Sequence, residues 1–242
     1  MPHAVARLRA ERLARCTRPL GGRGSRRARC ERCRLPQPHC LCGLRPVVAT
    51  QAGFALLMHD IEPLKPSNTG WLVADVVPDT AAFEWTRTDV DPRLPALLRD
   101  PQWQPYVVFP GVLADPARVV DALVPEPGRR PLFVLLDATW PNAHKMFRRS
   151  PYLDGLPVLA FRPDALSRYR LRRPVRQGRL CTAEAAALCL ELSGDGLAAR
   201  TLDAWLDVFV ARALAARLNQ PACLDDDAHR CLQALLRGAP GA

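Results

Sequence analysis

No apolar run in this 242-residue sequence is longer than a β-strand. Runs such as 54–58 and 132–136 fall far short of the roughly 20 residues that cross a bilayer, so no membrane span is expected. The opening 19 residues carry arginines throughout and no continuous apolar stretch, which argues against a secretory leader. An arginine-rich organellar targeting peptide stays open. GxGxxG, GxxxxGKS/T and GxSxG are all absent, which excludes the usual dinucleotide, P-loop and nucleophile-elbow signatures. Lysine is nearly missing too: Lys65 and Lys145 are the only two among 34 basic residues. In so arginine-rich a chain, a retained lysine marks a place where a compact, flexible ammonium serves better than a planar guanidinium.

What is present is a globular composition, 48% hydrophobic and 24% charged, in a length that buries one sizeable core plus a small appendage. The net charge of +10 is unevenly placed. Residues 1–46 hold 12 arginines against Glu11 and Glu31, while 47–242 balance 22 basic against 22 acidic side chains. This reads as a basic module, 1–46, joined to a neutral domain, 47–242, with nucleic acid as the leading polyanionic partner and a plain solubilising tail as the alternative. A second basic stretch, 162–179, holds seven arginines against Asp164.

The nine cysteines are too few for a disulfide scaffold, and their odd number suits a reducing, cytoplasmic setting. Four of them are bunched: Cys30-x-x-Cys33 is a knuckle spacing, and Cys40-x-Cys42 supplies a second pair across turns made by Pro36, Pro38 and Gly43. Four thiolates so placed are expected to hold a structural Zn2+. His39 is a possible substitute ligand, and a redox CxxC is the competing reading, though it leaves the second pair unexplained. Cys189 and Cys231 fall in apolar helical patterns and read as small core residues.

Beyond residue 46, short apolar runs alternate with Pro and Gly turns. Strands are expected at 54–59, 106–109, 132–136 and 158–161, and helices at 182–192, 201–218 and 226–237, the first capped by Thr182 and followed by Gly194. Apolar runs without alternation imply strands covered on both faces, hence an α/β sheet with its site beyond the strands' carboxyl ends. Three loops compete for that place: one with Lys65, Ser67, Asn68 and Thr69, one with Pro110 and Gly111, and one running from Asp137 to Lys145. Asp137 directly follows an apolar strand. Chemistry there and capping of the next turn near Thr139 are equally open roles for it.

The segments LMHDIEPLKPSNTGW, VVFPG, LFVLLDATWPNAHKMFRRSP and YRLRRPVRQGRLCTAEAAA resemble bacterial members of the DTW-domain family, the tRNA-uridine aminocarboxypropyltransferases, over about residues 8–190. The Asp-x-Thr-Trp triplet stands at Asp137–Trp140, with Ala138 where many members have Gly. The resemblance implies a SPOUT-like α/β domain with a C-terminal trefoil knot that takes S-adenosylmethionine. It also implies transfer of the donor's 3-amino-3-carboxypropyl group to N3 of a tRNA uridine. Asp137 would then be the general base. Pro110, Gly111, Leu136, Thr139, Trp140, Lys145, Tyr169, Arg170, Thr182 and Glu184 would surround the donor, Glu184 serving equally well as a helix cap. Lys65, Ser67, Asn68 and Thr69 would contact the RNA. Transfer to ribosomal RNA, a methyltransferase on the same fold, and a zinc-containing RNA-binding protein without catalysis are the alternatives. Knotted relatives often pair as homodimers; the extra C-terminal helices here favour a monomer.

Overall fold

A computed structural model describes residues 2–17, 28–160 and 180–237. Among these residues six strands form one all-parallel sheet: β1 (Gly53–His59), β2 (Thr80–Trp85), β3 (Trp103–Val108), β4 (Val119–Val120), β5 (Arg130–Asp137) and β6 (Val158–Leu159), in the order β2-β1-β5-β3-β6-β4. The expected α/β class is therefore present. The central strands β1 and β5 are apolar at almost every position because both their faces are covered. Phe54, Leu56, Met58, Phe133 and Leu135 face one hydrophobic layer, while Ala55, Leu57, Leu132 and Val134 face the other. The strands β2 and β4, absent from the sequence expectations, lie at the two edges; β2 is partly exposed and β4 has only two residues. Neither position calls for a long apolar run.

Helices cover both faces. On the Phe54 side pack α1 (Ala4–Ala14), α2 (Gly70–Val76), α5 (Thr182–Leu192), α6 (Gly196–Leu218) and α7 (Asp227–Arg237), together with the cysteine-bearing turn. On the opposite side lie α3 (Arg93–Arg99) and α4 (Trp140–Arg148). Val5 and Leu8 of α1, and Cys33, Leu35 and Leu41, share one buried cluster with Trp71, Trp205 and Phe54. The change at residue 46 is one of charge; the packing runs across it.

Several expectations need correction. The stretch expected as a loop to Lys145 is helical from Trp140, since Pro141 costs nothing in the first turn and Ala143, Met146 and Phe147 turn one face to the sheet. Thr182 does not cap α5. Cys181 occupies the cap, and Glu184 Oε2 accepts the Cys181 N–H at 2.7 Å in a capping box. Cys189 is buried as expected, but Cys231 is exposed. Gly194 does follow α5, in the left-handed conformation. Tyr169, Arg170 and the rest of 161–179 lie outside the described residues. Among the described residues no helix is long and apolar enough to cross a membrane.

Candidate active site and candidate metal centre

The chain leaving β1 passes through residues 60–69 to α2 on one face of the sheet, while the chain leaving the adjacent β5 enters α4 on the other. Neighbouring connections that diverge in this way open a crevice at the strands' carboxyl ends. Asp137, the last residue of β5, stands there. It has the parity of Phe133 and Leu135, so its side chain turns to the α2 and α5 face. Asp137 is 1% exposed. Its Oδ2 accepts from Asn68 Nδ2 at 2.7 Å, and its Oδ1 accepts from Thr182 Oγ1 at 2.9 Å. The described bonds thus run to Asn68 and Thr182, which belong to two other motifs.

Asn68 is itself held. Its Oδ1 accepts the Trp71 N–H at 3.1 Å, capping the first turn of α2, so the amide nitrogen points at Asp137 and, at 3.4 Å, at Glu62 Oε2. Glu62 is buried and pairs through Oε1 with Lys65 Nζ at 2.6 Å. Lys65 and Ser67 are half-buried, while Asn68 and Thr69 are inaccessible. Only the first two can be reached by a polymer. Gly70 matters for its missing side chain: a Cβ there would lie 2.3 Å from Asp137 Oδ2. Sequence reasoning placed this glycine in the candidate loop without a role, and it passed over Glu62, whose signal was a carboxylate three residues before one of only two lysines.

Of the other expected residues, Leu136, Thr139 and Trp140 lie at the carboxyl end of β5 and the start of α4, and Lys145 in the last turn of α4. Pro110 and Gly111 follow β3, and a Cβ on Gly111 would meet Val119 Cγ1 at 3.0 Å and Ala160 Cβ at 3.1 Å, so its bareness serves packing. Leu136 and Trp140 are half-buried; Thr139 and Lys145 are exposed. Of the two roles open to Glu184, the cap is the one displayed. Cys181, beside it, has its thiol pushed up to about 12, first by burial and then by the charge of Glu184, which makes it a poor nucleophile.

The four cysteines of the first motif come together. A small hairpin, Cys30 N–H to Leu35 carbonyl at 2.8 Å and Arg34 N–H to Cys30 carbonyl at 2.8 Å, turns the first pair toward the second. Cys30 and Cys42 sulfurs are 3.6 Å apart and those of Cys33 and Cys40 3.8 Å, with all four within 4.8 Å. Sulfurs bound tetrahedrally at about 2.3 Å to one ion would stand about 3.8 Å apart, so the set fits a single metal ion. Burial raises the Cys33 thiol to about 11, and burial with the neighbouring thiols raises that of Cys42 as well. At Cys30 burial is outweighed by the Cys33 and Arg32 amides, which bring it down to about 7. Four thiolates this close require a cation between them. His39 is not among the ligands: its Nε2 lies 2.8 Å from the Gln220 carbonyl and ties the turn to the end of α6.

The basic N-terminal segment is partly consumed internally. Arg12 bonds Asp60 at 2.6 Å, and both Arg12 and Arg15 pair with Glu84, which straps α1 across the carboxyl ends of β1 and β2. The second basic stretch falls within 161–179, outside the described residues.

An all-parallel sheet, a polar junction at its switch point and a four-cysteine cluster able to hold a metal define the class of molecule. The chain belongs to the DTW-domain family, whose model matches residues 27–214. Among curated proteins it is similar to tRNA-uridine aminocarboxypropyltransferase 2 of Drosophila melanogaster, 29% identical over 69% of this chain and 66% of that protein. The like-named proteins of Mus musculus and Macaca fascicularis are 26% and 25% identical over 69% of this chain and 57% of theirs. The chain thus spans under two thirds of the length of these relatives. All three are animal proteins, so the resemblance is not specific to the bacterial branch. No solved structure matches.

Proposed function

We propose that this protein transfers the 3-amino-3-carboxypropyl group of S-adenosylmethionine to N3 of a tRNA uridine, releasing 5′-methylthioadenosine. The observation that carries this reading is the convergence of Asn68, Asp137 and Thr182, one from each of three motifs far apart in the chain, on one polar junction at the switch point. Relatives named for the same transfer support it. In the reaction N3 attacks the donor's γ-carbon, the bond from that carbon to sulfur breaks, and the N3 proton passes to Asp137. Because Asp137 is buried, the uracil must leave its stacking partners to enter the junction. The donor would lie beyond the carboxyl ends of β3 and β5, near Pro110, Gly111, Leu136, Thr139 and Trp140, with Lys145 reaching toward it from α4, and Lys65 and Ser67 would offer polar contacts to the RNA backbone. The cysteine centre holds Zn2+ in a structural role, every ligand position being taken by the chain.

Incubation with S-adenosylmethionine and bulk tRNA tests the reading. Methylthioadenosine is expected as the product, together with a mass gain on uridine. S-adenosylhomocysteine would instead identify a methyltransferase. Methylthioadenosine formed with ribosomal RNA but not tRNA would reassign the acceptor.

A further inference from the structure

Arg34 sits in the cysteine turn, between Cys33 and Leu35, and its backbone N–H helps close that turn on the Cys30 carbonyl, while its side chain reaches elsewhere. It is 1% exposed and has φ 68°, a left-handed conformation that suits glycine and costs arginine on the order of 1 kcal/mol. Its side chain leaves the turn altogether. Nη1 donates to the Lys65 carbonyl at 2.7 Å and Nη2 to the Asn68 carbonyl at 3.3 Å, while the guanidinium lies 4.1 Å from the centre of the Trp71 ring. One planar group thus grips both ends of the 65–68 loop and the first turn of α2. The residue so fixed, Asn68, is the one whose amide meets Asp137 at 2.7 Å. A strained backbone kept in place of glycine, and a buried cation spent on two carbonyls and an indole face, are unusual in a turn whose own task is to present thiolates.

We infer that Arg34 is a positioning residue, through which the four-cysteine turn sets the Asn68–Asp137 pair in place. Metal binding orders the turn, the turn fixes Arg34, and its two bonds hold the 65–68 loop in the register that Asp137 requires. The metal centre therefore supports turnover through this chain of contacts and is more than an anchor for the N-terminal segment. The activity arm of its test rests on the transferase reading; the loop arm does not.

Arg34→Gly is the decisive variant, because glycine accepts the left-handed backbone and only the side chain is lost. Zinc content should stay at one per chain. Hydrogen exchange at the Trp71 amide, which bonds Asn68 Oδ1, should quicken at least tenfold, with β5 amides unchanged. Methylthioadenosine release at saturating substrates should fall at least tenfold, with KM for tRNA within threefold. Millimolar guanidinium should restore part of both effects, and ammonium should not. Arg34→Lys, which can reach one carbonyl but not span two, should lie between the wild type and Arg34→Gly. Unchanged exchange at Trp71 in zinc-loaded Arg34→Gly overturns the inference, whatever the activity. If Arg34→Gly loses zinc, chelating zinc from the wild type gives the same readout: protection at Trp71 must fall before that of β5, and simultaneous loss overturns the inference. Quickened exchange in a protein whose wild type makes no methylthioadenosine would keep the brace and sink the transferase reading.

Discussion

The cysteine turn and the Asp137 junction lie on the same face of the sheet, yet one draws its outermost ligands from positions 12 apart and the other joins residues 69 and 45 positions apart. A site closed within a dozen residues pays little loop entropy, and a bound ion can hold it together. A site closed over such distances exists only when the whole sheet does, and no bound ion substitutes for that scaffold. Damage to the two should therefore register differently: at the turn as lost folding, at the junction as lost turnover in a protein that still folds.

The largest effect is expected at the metal. Structural zinc supplies on the order of 10 kcal/mol to small sites, and Leu35 and Leu41 share a buried cluster with Trp71 and Trp205. Cys33→Ser should release the ion and lower the melting temperature by well over 10 °C, measured by elemental analysis alongside calorimetry. A metal-free mutant that melts like the wild type would erase the contrast drawn above.

Next comes Asp137→Asn. An asparagine can keep the contacts to Asn68 and Thr182, accepting from Asn68 through its oxygen and donating its amide to the Thr182 hydroxyl in reverse, while it removes the charge. Turnover should fall about 10²–10⁴-fold, as general-base loss does, with the melting temperature within a few degrees. Single-turnover assays paired with melting curves check this. A normal rate in a folded mutant would refute the proton-acceptor role, and a large drop in stability would make Asp137 a structural latch.

Gly70→Ala sharpens the same point by geometry. Its Cβ, 2.3 Å from Asp137 Oδ2, must displace the carboxylate or tilt α2. Overpacking of this kind costs about 1–3 kcal/mol, so both stability and turnover should drop, the latter by at least tenfold. Calorimetry and the release assay read the two separately.

The smallest effect concerns α1. His3 Nδ1 accepts the Ala6 N–H at 3.2 Å, and Nε2 faces Asp75 Oδ1 at 3.4 Å. Burial, aided by Arg45 and Arg34, holds His3 down at about 3 against an ordinary 6.5. Its contribution to stability is complete above pH 6.5 and is lost as the pH falls toward 3. Burial raises Asp75 from 3.8 to about 6 against the pull of Arg45. Its contribution has the opposite sense, complete below pH 3.8 and lost as the pH rises through 6. Between pH 6 and 4 the two offset, so docking of α1 should stay nearly level and weaken only below pH 4. Hydrogen exchange of α1 amides, corrected for intrinsic rates, follows this; a steady loss from pH 6.5 downward would show that the offset is absent.

The sequence by itself determined whatever depends on near neighbours. Apolar runs marked four of the six strands, and the helix at 182–192 is found at those bounds. The cysteine spacing identified a cluster that could hold a metal ion, because a short turn leaves four thiols few places to go. Asp137 was legible as a strand-end carboxylate, but its partners were not. Thr182 read as a cap from its place before an apolar helix; the long-range pull of Asp137 left that task to Cys181. The edge strands β2 and β4 escaped because an edge asks little of its residues, and α4 because a proline in its first turn reads as a break. Only the tertiary structure decided that Asn68, Gly70, Asp137 and Thr182 meet, and that Arg34 reaches out of the metal turn to hold them. Such contacts follow from strand order and from which face each connection takes. Those are settled by the burial of the sheet's two faces as a whole, and no local pattern of residues encodes them.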